Sequence, residues 1–258
     1  MILFQPEYLN ELGDRDRNED SIFPIFPQKN NTVFLVCDGV GGQAKGEIAS
    51  KLICEHFPVF LDKKKNEIED VCIFEKGLKY VEKKLQDYTK KNPDAHNMAS
   101  TLTIMCLSKK ENKAALGWVG DSRIYHVRDG KILFQTKDHS EVQNLLEMGE
   151  ISESEAKIHH RRNVITRAVN GKTSTRIDYH KSDSILENDF FLLCSDGIME
   201  NLDNEKIENW FKADVQPETL KNQILENAKG KTKDNYSMLL IKIKETNKSL
   251  STGKNWFW

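Results

Sequence analysis

Thr32-Val33-Phe34-Leu35-Val36-Cys37-Asp38-Gly39 is an apolar run closed by a carboxylate and a glycine. Its length suits a strand, and apolar side chains on successive residues require cover on both faces of the sheet. Comparable runs follow at Leu102–Leu107, Ala114–Val119, Phe190–Cys194 and Met238–Ile243. Arg123–Val127 and Lys131–Gln135 flank Asp129-Gly130, a pair that supplies the positive φ angles of a tight hairpin, so this part of the sheet is expected to be antiparallel.

Between the first two runs the period changes. Val71, Phe74, Leu78, Val81, Leu85 and Tyr88 recur at steps of three and four, the stripe of a long amphipathic helix. Ile48, Ala49, Leu52, Ile53, His56 and Phe57 predict a helix before it, with Pro58 ending or kinking it. The two are expected to form a hairpin against a sheet. Ser140 to Val169 reads as a polar helical flap, in which Ser152-Glu153-Ser154-Glu155 fits a capping box. Ile207, Trp210 and Phe211 mark a further helix, and Pro217 opens another that stops near Gly230.

The 258 residues are expected to form a single layered domain, with the flap inserted at about 140–170. Forty acidic residues against 38 basic ones leave a net charge of -2, which provides no global field for nucleic acid or an anionic membrane. The 5 cysteines contain no Cys-x-x-Cys spacing and mostly sit in apolar runs, so they read as reduced, buried hydrophobes. No apolar run approaches the roughly 18 residues of a membrane helix, and Met1–Phe4 is too short for a signal-peptide core. A cytoplasmic, monomeric protein is expected.

The carboxylate that closes the opening run has counterparts. Asp121 follows Trp118-Val119-Gly120, Asp196-Gly197 follows Leu193-Cys194-Ser195, and Asp234-Asn235 precedes the run from Met238. Asn18-Glu19-Asp20 precedes another apolar stretch, Ser21-Ile22-Phe23. Clustered carboxylates raise one another's pKa unless cations sit among them. Oxygen-only donors suit Mg²⁺ or Mn²⁺, whereas zinc calls for spaced His or Cys pairs, and the adjacent His159-His160 is a poor substitute. Asp-Gly is also an ordinary turn dipeptide, and periodicity alone leaves both readings of Asp38-Gly39 and Asp196-Gly197 open.

Taken together, the motifs resemble the metal-dependent protein phosphatase 2C family in its compact bacterial serine/threonine form. They are Arg15-Asp16-Arg17-Asn18-Glu19-Asp20-Ser21, Asp38-Gly39-Val40-Gly41-Gly42 with Gly46-Glu47-Ile48-Ala49-Ser50, Ser100-Thr101-Leu102, Gly120-Asp121-Ser122-Arg123, Asp138-His139-Ser140, Arg162 to Ala168, Ser195-Asp196-Gly197 and Asp234-Asn235. Each is weak alone, but they stand in the family's order over almost the whole chain. The resemblance implies an α+β fold, a four-layer α/β/β/α sandwich with two central antiparallel sheets between helices. It also implies hydrolysis of phosphoserine and phosphothreonine in proteins, without a covalent intermediate, by water bridging two Mg²⁺ or Mn²⁺ ions. Asp38 would bridge the ions, the Gly39 carbonyl would join one, and Asp196 and Asp234 would hold the other. Glu19 would act through water, Asp20 would lie beside the attacking water, and Arg15 would clamp the phosphate. Asp121 with Asp196 would hold a third, weaker ion, and Asn235 would orient its neighbours. The partners implied are phosphoproteins made by a cognate serine/threonine kinase.

The chain departs from the family pattern at Val40, where some members carry a histidine proposed as the general acid, so no general acid is assigned. Ser100 replaces a more usual residue in its strand motif, and Gln43 stands where a histidine often occurs. The Asn255-Trp256-Phe257-Trp258 tail and the Lys63-Lys64-Lys65 run read as a packed or free end and a solvated connection. A catalytically silent, phosphatase-like regulatory domain is the alternative. It is disfavoured because such domains lose metal acids, whereas Asp38, Asp196 and Asp234 are all present. A metal-dependent nuclease would need a basic stripe that the composition lacks.

Overall fold

A computed structural model describes residues 1–40, 45–64 and 72–247. Gly41, Gly42, Gln43, Lys65, Val71 and the aromatic tail lie outside the described residues. The first half comprises β1 (Ile2–Leu3), β2 (Glu7–Glu11), β3 (Asp20–Phe23), β4 (Val33–Asp38), α1 (Gly46–Asp62), α2 (Cys72–Lys91), β5 (Ala99–Ser100), β6 (Leu102–Ser108) and β7 (Lys113–Val119). There follow β8 (Arg123–Arg128), β9 (Lys131–Gln135), α3 (Glu141–Glu147), α4 (Glu153–Ile158), β10 (Val169–Asn170), β11 (Asp178–Ser182), β12 (Phe190–Cys194), α5 (Asp196–Met199), α6 (Asn204–Trp210), α7 (Pro217–Ala228) and β13 (Tyr236–Glu245).

Two antiparallel sheets form the centre. One runs β1-β13-β12-β8-β9 with β2 also on β13, and the other runs β11-β7-β6-β4-β3. Alternation along the strands distributes side chains among three cores. In β4, Leu35 and Cys37 face α1 and α2, where Ile53, Phe57, Phe74, Leu78, Val81 and Leu85 bury them. Phe34 and Val36 of the same strand point the other way, into a layer shared with Phe191, Leu193, Leu239 and Ile241 from the opposite sheet. The remaining faces of β12 and β13, through Phe190, Leu192, Met238 and Leu240, are covered by Ile198, Ile207, Phe211, Leu220 and Ile224 of the C-terminal helices. Three cores between four layers make the α/β/β/α sandwich, and explain why these strands are apolar on both faces.

The hairpin at Asp129-Gly130 forms with positive φ at both residues, 46° and 76°. The Ser152–Glu155 capping box is present in full. Helix α1, however, neither ends nor breaks at Pro58 but continues to Asp62. A proline in a helix interior costs about 3 kcal/mol. Beyond that point α1 still buries Leu61, next to fully buried Phe57, and each such side chain contributes about 1.5–3 kcal/mol. Tertiary burial therefore offsets the lost backbone bond. Cys37, Cys54, Cys106 and Cys194 are free and buried as expected, but Cys72, on the first turn of α2, is exposed. No helix among the described residues is long and apolar enough to cross a membrane.

Candidate metal and phosphate site

Antiparallel pairing brings the acid-bearing strand ends to one edge of the sandwich. Asp20 begins β3 and Asp38 ends β4, and the register places them directly opposite each other. Val119 at the end of β7 pairs with Leu102, so Asp121 emerges beside the Thr101-Leu102 start of β6. In the other sheet, Cys194 pairs with both Arg123 and Met238, which places Asp196 next to the strand that Asp234 precedes. Asp121 lies in the turn that passes from one sheet to the other.

Close backbone approach makes this edge compact. A Cβ on Gly39 would lie 2.4 Å from the carbonyl carbon of Gly46, so the end of β4 meets the start of α1 with no room for a side chain. A Cβ on Gly197 would lie 2.0 Å from the Asn235 carbonyl oxygen, and the Asp196 and Asp234 segments are similarly pressed together.

Like charges directly opposite on neighbouring strands repel. Asp38 is held well above the usual carboxylate range, first by withdrawal from water and then by Asp20, Asp196, Asp121 and Asp234. Asp20 is pushed up to about 7, chiefly by burial and against the Ser195 hydrogen bond. Asp121 is pushed up to about 8 by burial and Asp196, and Asp196 to about 6 by burial and Asp234. Glu19 is raised by burial and by Glu47. Arg15, on the rim, donates from Nη2 to Asp234 Oδ2 at 2.7 Å, and its side chain remains 53% exposed.

The donor set suits a hard divalent cation. Asp20 Oδ1, Asp196 Oδ1 and Glu47 Oε2 are buried without a hydrogen-bond partner, and buried carboxylate oxygens without a donor call for positive charge. Among the described residues, no three carboxylate, imidazole or thiol groups are already closed around one point. The acids thus share an edge without forming a finished cage. Asp38, Asp196 and Asp234, with the Gly39 carbonyl beside Asp38, are the residues that could hold ions here, and Asp121 borders the same cluster.

Neutral side chains hold the acids in place. Ser195 Oγ donates to Asp20 Oδ2 at 2.7 Å and accepts from the Ser237 N–H at 2.9 Å. Thr101 Oγ1 accepts from the Asp38 N–H at 2.9 Å and lies 2.7 Å from Ser122 Oγ. Asn235 Oδ1 accepts from the Glu19 N–H at 2.8 Å, while its amide donates to the Leu12 and Arg17 carbonyls at 2.7 and 3.0 Å. Asn235 therefore fastens the loop carrying Arg15 and Glu19 to β13.

Sequence reasoning assigned no role to Glu47, Thr101, Ser122 or Ser195. Their available signal is adjacency: Ser122 and Ser195 flank acids directly, and Glu47 lies in the first turn after the Gly39–Gly46 contact. Glu47 also accepts from Arg17 Nη1 at 2.6 Å. His159 and His160 lie against each other in the flap, ring centroids 4.6 Å apart and planes tilted by 32°.

Residues 11–226 match the family described as Protein phosphatase 2C. The serine/threonine protein phosphatase PstP of Mycobacterium tuberculosis is 30% identical over 197 residues, covering 75% of this chain but 36% of that protein. The chain thus spans about a third of that relative's length. Protein phosphatase PhpP of Streptococcus pneumoniae is 28% identical over 244 residues, 92% of this chain and 96% of that one. The crystal structure of Mycobacterium tuberculosis PstP/Ppp superposes with a TM-score of 0.83 at 26% identity, covering 95% of this chain and 100% of that one. A PstP catalytic domain solved with two manganese ions has the same fold, with a TM-score of 0.70 at 23% identity. With its motif order, its four layers and its acid-lined edge, the chain belongs to the protein phosphatase 2C family.

Proposed function

We propose that this chain is a serine/threonine protein phosphatase that requires two Mg²⁺ or Mn²⁺ ions and acts on phosphoproteins made by a cognate kinase. The observation that carries this reading is the convergence of Asp20, Asp38, Asp121, Asp196 and Asp234 on one edge, with unpartnered carboxylate oxygens facing inward. When bound, the ions supply positive charge that neutralises the phosphoryl oxygens and activates water. Asp38, the Gly39 carbonyl, Asp196 and Asp234 would hold them, with Glu19 acting through water and Asp121 on the weaker side.

The chain's own residues supply binding and proton placement. Arg15 presents a planar, permanently charged fork at the rim, matched to two phosphate oxygens. Asp20 has Oδ2 tied to Ser195, which leaves Oδ1 to accept a proton from the attacking water. Asn235 fixes the distance between Arg15 and the acids by anchoring the intervening loop. Val40 offers no proton, so the proton for the leaving oxygen comes from another source, and no residue is assigned to supply it.

Purified protein with millimolar Mn²⁺ should hydrolyse a phosphothreonine peptide, and chelator should stop it. Asp38→Ala and Asp234→Asn should each abolish turnover in a protein that still melts cooperatively. Absence of chelator-sensitive hydrolysis, or turnover persisting in both variants, would reject the proposal.

A further inference from the structure

A groove runs along the open side of β3, the last strand of the second sheet, which pairs with β4 alone among the described strands. Successive strand residues point to opposite faces, so a groove that touches Ser21, Ile22 and Phe23 in a row follows the backbone edge and not one face. Its other wall is α1, where Lys51, Cys54, Glu55, Pro58, Val59 and Asp62 recur at steps of three and four and form one stripe. The cavity between them is about 840 Å³, a size that takes a drug-sized molecule or more than one aromatic side chain. Apolar groups stand open to water along it: Val59 is 46% exposed, Ile25 63% and the neighbouring Phe26 70%. A bare strand edge beside exposed apolar side chains is a template for unwanted pairing, which native chains suppress by covering it.

The chain carries a cover of its own. Its described part ends at Asn247, whose side-chain amide donates to the Lys109 and Lys110 carbonyls at 2.8 and 3.0 Å. Lys109 Nζ in turn donates to the Lys29 carbonyl at 2.7 Å, and the next two residues, Asn30 and Asn31, line the groove. One lysine side chain therefore separates the start of the tail from the groove. Residues 248–258 can extend over about 40 Å, far more than the reach of that side chain. Of the segments outside the described residues, this one alone contains aromatic residues, Trp256, Phe257 and Trp258.

We propose that Trp256, Phe257 and Trp258 dock into the β3–α1 groove of their own chain, as an apolar plug that covers the open edge of β3. Each aromatic side chain buries about 150–250 Å² when enclosed, and an enclosed indole N–H needs an acceptor, which the side-chain carbonyls of Asn30 and Asn31 supply. Covalent attachment raises the local concentration of the tail to about the millimolar range, so contacts too weak to hold a free peptide suffice.

The test keeps the full chain and replaces its 4 tryptophans by 5-fluorotryptophan. Trp118, Trp210, Trp256 and Trp258 then each give a fluorine resonance, assigned by replacing them with phenylalanine one at a time. Docking should displace the Trp256 and Trp258 resonances from their positions in urea-unfolded protein. Val59→Asp and Ile25→Asp each place a charge on the groove at an exposed position and should return both resonances to the unfolded positions, while buried Trp118 keeps its own and reports an intact fold. If Val59→Asp moves the Trp118 resonance, Ile25→Asp, which lies outside any helix or strand, decides. Hydrogen exchange supplies an independent readout: replacing Trp256 and Trp258 together by alanine should speed exchange of those β3 amides that do not bond to β4. Tail resonances already at the unfolded positions in the original protein, or displaced but unmoved by both groove substitutions, would overturn the proposal. A displacement that fades on dilution would overturn it as well, because the groove would then hold the tail of a second copy.

Discussion

Asn235→Ala removes three hydrogen bonds at a position only 4% exposed. The consequences are unequal. The Glu19 N–H, at the partly buried start of β3, has no replacement acceptor and bears a desolvation cost of about 1–3 kcal/mol. Leu12 and Arg17 are exposed, so water can reach their carbonyls and each lost bond there is worth about 0.5–1.5 kcal/mol. The expected loss is about 3 kcal/mol, which for a domain of this size lowers the melting temperature by roughly 6–12 °C. Activity on a phosphothreonine peptide should fall further than stability does, because the freed loop carries Arg15 and Glu19. Asn235→Asp sharpens the test: it keeps the acceptor for Glu19 but turns a carboxylate toward two carbonyls, so it should be nearly as damaging as alanine. Calorimetry and steady-state kinetics below the melting temperature read both effects. An alanine variant that melts with the original protein, or an aspartate variant with full activity, would refute the assignment of Asn235 as the latch of this loop.

Arg15→Lys should raise the KM for phosphopeptide and leave the melting temperature unchanged, because the side chain is half exposed and the proposed phosphate contact depends on its planar fork; an unchanged KM contradicts that role. Asp189 tests the fold away from the site: although burial opposes it, bonds from Arg128, His126 and the Leu186 N–H hold its carboxyl below the ordinary value of 3.8. A depressed carboxyl stabilises the fold above its unfolded pKa, so this contribution should be complete above pH 4 and disappear as the pH falls through the lower folded value. In urea denaturation, Asp189→Asn should cost about 1.5–3 kcal/mol at pH 6 and show a shallower loss on acidification; a parallel pH profile would be the contrary result. Asp38→Asn should raise the melting temperature in chelator, because the folded state no longer has to keep a buried carboxyl opposite Asp20 from ionising, and abolish the rise on adding Mn²⁺. Destabilisation with the Mn²⁺ response intact would contradict the electrostatic account.

The architecture was legible where periodicity was long and strong. The stripe from Phe74 to Tyr88 and the two-faced runs at Phe190–Cys194 and Met238–Ile243 correspond to α2, β12 and β13. The short strands β1, β5 and β10 were not legible, because a pair of residues contains no period; the other sheet partners define them. Of the two outcomes expected at Pro58, an end or a kink, the end does not occur, because local preference stops a helix there and burial on a distant sheet does not. At the site, strand ends and motif order pointed to the acids, but register was hidden. Nothing local states that Asp20 faces Asp38, since that pairing is set by the long connection between β3 and β4. The supporting hydroxyls were hidden for another reason, because a serine beside an aspartate looks the same whether it caps a turn or steadies a carboxylate.

This difference between the acids and their supports explains how the fold tolerates its own active edge. Five carboxylates brought together by strand pairing oppose folding, and the shifts of Asp20, Asp38, Asp121 and Asp196 all run toward the neutral form. The supports do little to relieve this repulsion, because Thr101 and Asn235 bind backbone N–H groups next to the acids, and Ser195 satisfies one oxygen of Asp20 only. What they remove is the alternative of relaxing: with the strand ends pinned and glycines pressed backbone to backbone, the carboxylates cannot swing out to solvent at small cost. The three cores behind the edge supply the stability that holds this geometry. Besides protonation, a divalent cation is the remaining way to lower the energy of the cluster, and under the proposed function the residues that destabilise the bare fold are the ones that would hold it.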